Sequence, residues 1–166
     1  MIYETNRLII RVLEEADYED VKQIWGNEEV MEHCLGAISH ELLPEIIRTY
    51  IHCQAEKGLS VYAVVEKESS RVIGAAGFNV KDSLEEVEMI YHFSKEVWGR
   101  GYASETGAAC LNIAKQTGKV KKIYASASPH NPSSIKILEK IGFDFIGLKW
   151  FEDTKQEEPY YEMVVD

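Results

Sequence analysis

Two glycines just before a predicted helix give the strongest chemical signal in the sequence. The segment reads Trp98-Gly99-Arg100-Gly101-Tyr102-Ala103-Ser104 and follows a predicted strand. Glycines let backbone N–H groups approach a ligand without a Cβ in the way, and a helix N-terminus carries partial positive charge. The segment therefore suits a phosphate or pyrophosphate, although an empty glycine-rich turn fits the same residues equally well.

Two familiar phosphate-binding loops do not fit this segment. A P-loop needs Gly-Lys-Ser/Thr before its helix, whereas Gly101-Tyr102-Ala103 stands here. A dinucleotide-binding loop needs an acidic residue about 20 residues later, whereas residues 120–123 are basic and apolar. A nucleotide-binding switch protein is therefore disfavoured.

A second segment, over residues 131–143, has the marks of a capped helix. Asn131 suits the N-cap, Pro132 suits the first turn, and Gly142 suits the C-terminal end. Ser133 and Ser134 follow the cap, and by themselves they are ordinary first-turn residues. Alone, the segment indicates an amphipathic helix and no particular chemistry.

The elements around both segments indicate a layered fold. Residues 8–13 predict a first strand, Asp17 is expected to cap a helix with Asp20 as its reciprocal partner, and a second helix is expected from Ser39 to Gly58. The remaining predictions are strands over 61–65, 72–78 and 87–93, a helix over 103–118, a strand over 123–127, the helix after Asn131, and strands over 145–151 and 160–165. This order predicts a mixed α/β domain.

Length and composition are those of one globular domain. The chain has 166 residues, of which 45% are hydrophobic, so residues 1–166 are expected to form a single domain. No apolar run approaches the roughly 20 residues that cross a membrane, and no secretory signal precedes the first strand. The odd, widely spaced set Cys34, Cys53 and Cys110 indicates reduced thiols, and we expect a cytoplasmic protein with no metal site.

The charge narrows the class of partner. The formal net charge is −10, which repels the nucleic-acid backbone and attracts cationic molecules from a distance. Taken alone, the net charge is explained more simply by solubility than by a cationic partner. The sequence is compatible with a monomer or a homodimer.

Together, at this separation, the two segments resemble the GNAT superfamily of N-acetyltransferases. The glycine turn is similar to that family's pyrophosphate loop, Gln/Arg-x-x-Gly-x-Gly/Ala, with Trp98 where Gln or Arg is usual. The opening Thr5-Asn6-Arg7-Leu8-Ile9-Ile10-Arg11, the string over 97–105 and the helix over 131–143 are similar to the branch that acetylates the N-termini of ribosomal proteins. The resemblance implies a mostly antiparallel sheet, flanked by helices, with one splayed parallel strand pair.

The resemblance also implies how acetyl-CoA would bind. The strands over 87–93 and 123–127 would splay apart, and the pantetheine arm would fill the gap. Backbone groups of Tyr91 and Phe93 match positions that pair with the thioester and pantetheine, and the Asn131 side chain matches one that reaches pantetheine. The residues of the glycine turn would hold the pyrophosphate.

For catalysis, the resemblance implies direct attack of a neutral amine on the thioester. Glu88 matches a position where the family often places a carboxylate, and it is the first candidate for the general base, although a surface glutamate is an equally simple interpretation. His92 is the second candidate. The tyrosine that many relatives use as general acid is replaced by Leu138, and Ser134 matches a serine that the ribosomal-protein branch carries one turn earlier.

The acceptor is expected to be a cationic amine, such as a protein N-terminus, a polyamine or an aminoglycoside. Two acidic stretches would face the cleft, one with Glu28, Glu29 and Glu32 and the other with Glu152, Asp153, Glu157 and Glu158. They would focus a negative potential on the thioester, and Trp25, Trp150 and Tyr160 beside them could hold an ammonium. The alternative function is an acyl-CoA-binding regulatory module without catalysis.

Overall fold

A mixed sheet of eight strands organises the protein. The computed structural model describes residues 1–166. Along the sheet the strand order is β1-β2-β3-β4-β5-β6-β8-β7, and every neighbouring pair is antiparallel except β5 and β6. The strands are β1 (Tyr3–Glu4), β2 (Leu8–Val12), β3 (Val61–Glu66), β4 (Val72–Asn79), β5 (Glu86–Phe93), β6 (Lys122–Ser126), β7 (Asp144–Phe151) and β8 (Gln156–Val164).

The parallel pair comes apart after its first residues. β5 and β6 are in register only from Glu86 to Glu88, where Glu88 faces Tyr124. Beyond that point β5 pairs with β4 alone, up to Phe93, and β6 pairs with β8. The mostly antiparallel sheet with a splayed parallel pair is therefore confirmed.

Helices cover both faces of the sheet. They are α1 (Tyr18–Val21), α2 (Leu43–Lys57), α3 (Tyr102–Thr117) and α4 (Pro132–Ile141), with short 3-10 helices over Glu15–Asp17, His40–Leu42 and Lys95–Val97. One apolar core lies beneath α3 and α4, and a second lies beneath α1 and α2. Burial on both faces explains why β3 and β4 are almost uniformly apolar. None of the helices combines the length and the apolarity that crossing a membrane requires.

The first helix begins where the sequence predicted, but the expected capping hydrogen bonds are absent. Asp17 is the N-cap residue of α1, a 3-10 helix over Glu15–Asp17 precedes α1, and the Asp17 side chain makes no capping hydrogen bond to it. Asp17 is paired with Arg11 at 2.8 Å and accepts from the Glu14 amide. Asp20, expected as a reciprocal cap, accepts from Arg71 and from the Val72 amide. Each of the two carboxylates therefore binds an arginine and a backbone amide and does not cap α1. Similarly, Ser39 precedes a 3-10 helix, and α2 begins only at Leu43.

The final hairpin is longer than its sequence predicted. β8 begins at Gln156, four residues before the predicted start, and Glu157, Glu158 and Pro159 all pair with β7. Acidic residues and proline are poor strand formers, so the pattern concealed this extension. Because of this extension, Glu158 lies in strand β8 and not in the loop where the sequence predicted it. A short strand, β1, was also missed.

Candidate active site

A large cavity opens where β5 and β6 separate. Its volume is about 1480 Å³, more than the roughly 300–1,000 Å³ of an ordinary small-molecule pocket. Its walls come from β5, the glycine turn before α3, the start of α4, the segment over residues 29–39 and the last hairpin loop. The cavity therefore has room for two reacting molecules.

The glycine turn presents unpaired backbone donors to this cavity. Gly99 and Gly101 have left-handed conformations, with φ of 82° and 79°, which glycine adopts without strain. Gly101 is the N-cap of α3, and no side chain caps this end of the helix. The first N–H groups of α3 are thus free to bind an anion. The predicted residues that line the cavity here are Trp98, Gly99, Gly101, Tyr102, Ala103 and Ser104.

The Arg100 side chain turns away from the cavity. Its guanidinium lies 3.4 Å from the carboxylate of Glu66, and the buried hydroxyl of Tyr102 donates to the same carboxylate at 2.6 Å. The hydrogen bond from Tyr102 is the main reason that the pKa of Glu66 lies below its usual value. Arg100 can therefore offer a ligand in the cavity only its backbone.

The end of β5 turns backbone groups toward the gap. The Ser94 amide donates to the Ile73 carbonyl at 2.8 Å. In an antiparallel pair, residues that bond to the neighbouring strand alternate with residues whose N–H and C=O groups point away from it. The N–H and C=O groups of Phe93 and Tyr91 therefore point away from β4. The indole N–H of Trp98 donates to the Phe93 carbonyl at 2.9 Å. One lone pair of that carbonyl is thus already used, which the sequence did not reveal.

Asn131, Ser134 and Tyr91 meet on the α4 side of the cavity. The Asn131 side chain caps α4 by accepting from the Ser134 amide at 3.3 Å, so its Nδ2 stays available. The hydroxyls of Tyr91 and Ser134 lie 3.0 Å apart. Burial raises the pKa of Tyr91 to about 12, so its hydroxyl stays protonated and can donate. Sequence reasoning considered only the backbone of Tyr91, because nothing in the sequence shows that its side chain reaches α4.

Glu88 stands where the gap begins. Its half-buried side chain lines the cavity and accepts from the Asn79 amide at 3.1 Å, while Tyr50 orients that amide by donating to its oxygen at 3.1 Å. The neighbouring Glu85 and Glu86 instead pair with lysines outside the cavity. Glu88 pairs with no cation, which distinguishes it from the acidic patch around it.

The profile of the Acetyltransferase (GNAT) domain matches residues 7–144. The chain belongs to the GNAT acetyltransferase family. It is 27% identical to the uncharacterized N-acetyltransferase p20 of Bacillus licheniformis, over 87% of this chain and 83% of that protein. It is 23% identical to the [Ribosomal protein uS5]-alanine N-acetyltransferase of Escherichia coli, over 84% of this chain and 76% of that protein.

Solved structures of GNAT proteins have the same fold. A GNAT acetyltransferase from Bacillus anthracis superposes with a TM-score of 0.85 at 23% identity, covering 97% of this chain and 96% of that one. Spermidine N-acetyltransferase from Vibrio cholerae, in complex with CoA and spermine, superposes with a TM-score of 0.81 at 20% identity, covering 97% of each chain. The chain therefore has the GNAT fold.

A brace behind the glycine turn is a part of this GNAT site that the sequence did not explain. Glu105 accepts from Thr5 at 2.6 Å and from Arg7 at 2.7 Å, and Arg7 also donates to the Arg100 carbonyl at 2.9 Å. Burial of Glu105 works to raise its pKa, but these hydrogen bonds outweigh burial and lower the pKa. The opening motif thus fixes the turn from the edge of the sheet.

His92 lies on the same face of β5 as Glu88 but is a poor base. Its Nδ1 accepts from the indole of Trp25 at 3.3 Å, which leaves Nε2 to carry the proton. Burial lowers the pKa of His92 to about 4. Neutral imidazole with its acceptor nitrogen occupied cannot readily take a proton from an amine.

This burial predicts that the GNAT domain loses stability on mild acidification. Between about pH 6.5 and pH 4 the unfolded chain protonates His92 and the folded chain does not, so the unfolded state binds more protons. The free energy of unfolding should fall across that window by about 1–3 kcal/mol from this residue. Urea unfolding at several pH values should show a flatter decline in His92→Asn than in the wild type. The exposed His52→Asn is the control, and an unchanged decline in His92→Asn would contradict the assignment.

The acidic stretches contribute unequally to the GNAT cavity. Glu29, Glu32, Asp153 and Glu158 line it, whereas Glu28, Glu152 and Glu157 do not. Glu29 is paired with Lys95. Of the three aromatic residues predicted beside the stretches, only Trp25 lines the cavity; Trp150 is exposed and Tyr160 is buried.

Proposed function

We propose that the chain, acting as a single domain, transfers an acetyl group from acetyl-CoA to a primary amine by direct attack in a ternary complex. The observation that carries this proposal is the placement of two kinds of group in one cavity. Free N–H groups at the start of α3 suit an anion, and an unpaired carboxylate, Glu88, lies where the strand gap begins. The family membership supports acetyl transfer as the reaction.

In this proposal acetyl-CoA enters along the gap. The N–H groups of the glycine turn hold the pyrophosphate, where the helix dipole adds to the attraction. The pantetheine arm lies beside β5 and pairs with the backbone of Tyr91 and with the free N–H of Phe93. The Nδ2 of Asn131 is a further donor to it. The neighbour solved with CoA supports CoA as the carrier.

The chemistry requires three proton transfers. An alkyl amine with a pKa of about 10.4 is protonated at neutral pH, so Glu88 takes one proton from it, directly or through water, before the nitrogen attacks. As the C–N bond forms and the C–S bond breaks, the nitrogen releases its second proton to solvent, and the CoA thiolate receives a proton from Ser134, which regains one from solvent. The Tyr91 hydroxyl donates to the Ser134 carbonyl at 3.3 Å and lies 3.0 Å from Ser134 Oγ, so it holds the serine hydroxyl in place.

The acceptor in this proposal carries positive charge. Its support is the net charge of −10 and the carboxylates of Glu32, Glu88, Asp153 and Glu158 on the cavity wall. The Vibrio cholerae neighbour is a spermidine N-acetyltransferase, and the Escherichia coli relative is an N-acetyltransferase of an alanine in ribosomal protein uS5. Both of those acceptors are amines, which agrees with a polyamine, an aminoglycoside or a basic N-terminal peptide here.

A second candidate is a regulatory module that binds acyl-CoA without turnover. The observation that favours it is Leu138, a buried apolar residue where many relatives have the acid tyrosine. Acetyl-CoA should raise the melting temperature in both cases. Only the enzyme would consume acetyl-CoA when an amine is added.

A panel of amines tests the proposal against that alternative. We expect CoA release with cationic acceptors and none with neutral or acidic ones. The kcat/KM of the best acceptor should fall as salt rises, because exposed charges are screened beyond about 8 Å at physiological ionic strength. Charge removal at Glu32 and Asp153 should weaken this salt dependence. No CoA release with any amine would favour the regulatory module, and a neutral best acceptor would contradict a role for the carboxylates.

A further inference from the structure

Glu158 is a buried carboxylate whose hydrogen bonds leave one oxygen unused. Its exposed fraction is 5%. Both hydrogen bonds go to the same oxygen, Oε2, which accepts from the Thr154 hydroxyl at 3.0 Å and from the Gln156 amide at 2.8 Å. Oε1 accepts no hydrogen bond from the protein, and no Lys, Arg or His lies within salt-bridge distance of Glu158. The side chain lines the cavity.

Strand register places Glu158 on the same face of the sheet as Glu88. Glu88 faces Tyr124 across the parallel pair, and Tyr124 faces Glu162 across the next pair. Residues that face one another point to the same side of a sheet, and so do residues two or four apart along a strand. Glu158 is four residues from Glu162 on β8, so Glu88 and Glu158 project from the same face of the sheet. Along the strand direction they are separated by roughly 13 Å.

No protein cation reaches Glu158 to neutralise it. Its partner across the hairpin is Lys149, but the Lys149 ammonium lies over the Tyr160 ring, 3.7 Å from the ring centroid. Burial raises the pKa of the Cys34 thiol, and the nearby charges of Glu158 and Asp153 raise it further. The negative potential of Glu158 therefore extends into the cavity toward the segment over residues 29–39.

A buried carboxylate without a cation is costly unless something completes its hydrogen bonds. Two neutral donors on one oxygen hold Glu158 in place and leave its charge uncompensated. An ammonium group in the cavity would supply both a donor for Oε1 and the missing positive charge. The exposed carboxylates nearby cannot bind as tightly, because solvent screens them.

We propose that Glu158 binds a second, non-reacting ammonium group of the acceptor, so that the preferred substrates are amines carrying two positive charges. The inference rests on the proposed function and specifies its substrate class. One nitrogen loses its proton near Glu88 and attacks the thioester, while the other stays protonated at Glu158. The two carboxylates lie roughly 13 Å apart along the strands and roughly 10 Å apart across them, so the two nitrogens of the acceptor should be spaced by roughly 16 Å.

Matched amines test this directly. The wild type should acetylate an α,ω-diaminoalkane with a kcat/KM at least about tenfold above that of the monoamine with the same number of carbons. Glu158→Gln keeps the shape of the side chain and should lower kcat/KM for the diamine by about 10- to 100-fold, mainly through KM, because truncating a buried charge pair is costly. The same variant should lower kcat/KM for the monoamine by a clearly smaller factor, because the single nitrogen of that substrate reacts near Glu88 and has no second ammonium group for Glu158. Glu157→Gln is the control, since Glu157 is exposed and points to the other face of β8.

Each outcome separates this inference from the proposed function. An equal loss with diamine and monoamine would assign Glu158 to chemistry or folding and overturn the inference. So would an unchanged preference for the diamine in Glu158→Gln. Melting temperatures of both variants identify a folding defect, and acetyl-CoA binding should be the same in both. If the wild type releases no CoA with any amine, the proposed function itself has failed.

Discussion

Replacement of Glu88 by glutamine is expected to lower kcat by about 10²- to 10⁴-fold, with little change in the affinity for acetyl-CoA. Glutamine keeps the size of the side chain and can still accept the hydrogen bond that Asn79 donates to Oε1 at 3.1 Å. It cannot take a proton from the attacking amine. The loss should therefore appear in turnover and not in cofactor binding.

Steady-state kinetics together with calorimetric titration of acetyl-CoA measure the two effects separately. Glu86→Gln is the matched control, because Glu86 lies two residues earlier on the same strand, is exposed and pairs with Lys122. It removes the same charge without reaching the cavity and should keep wild-type kcat. Unchanged turnover in Glu88→Gln would transfer the proton to bulk water, since His92 has its acceptor nitrogen occupied by Trp25.

Local signals in the sequence were sufficient for most of the fold and for the cofactor side of the site. The succession of strands and helices along the chain followed from apolar runs separated by turns, and the splayed pair β5–β6 followed from the family resemblance. Gly101 and Asn131 could be recognised because a glycine before a helix and an N-cap asparagine act on the backbone of the adjacent turn. Such features depend on neighbours within a few residues, so the sequence displays them directly.

Contacts between distant residues could not be predicted from local pattern. Glu105 is paired with Arg7, which lies 98 residues earlier, and the Trp98 indole took a carbonyl that had been assigned to the cofactor. Asp17 stands at the expected N-cap of α1, but its carboxylate pairs with Arg11 on the sheet and does not cap the helix. From local sequence, Glu158 is expected in a loop, because its place in a strand depends on pairing with β7. Each of these depends on which strands become neighbours.

Replacement of Gly101 by valine is expected to weaken acetyl-CoA binding by about 100-fold or more. Gly101 has a φ of 79°, a left-handed conformation that a β-branched residue strongly disfavours. A Cβ there would meet only Arg7 Nη2, at 3.6 Å, so backbone strain and not a clash would shift the turn. Charge-assisted hydrogen bonds are worth about 1.5–3 kcal/mol each, and 1.4 kcal/mol is about tenfold in affinity. Misplacing two N–H donors would therefore account for the loss.

The other end of α3 provides the control for this substitution. Gly118 is the C-cap of α3 and has a φ of 67°. A Cβ at this position would have no other atom within 4 Å. Gly118→Val should impose similar backbone strain and a similar loss of stability, yet it leaves the pyrophosphate turn unchanged. Titration calorimetry should give wild-type acetyl-CoA affinity for Gly118→Val and a large loss for Gly101→Val. Equal affinities in the two variants would mean that the N-terminus of α3 does not hold the cofactor, because strain alone would then explain every effect.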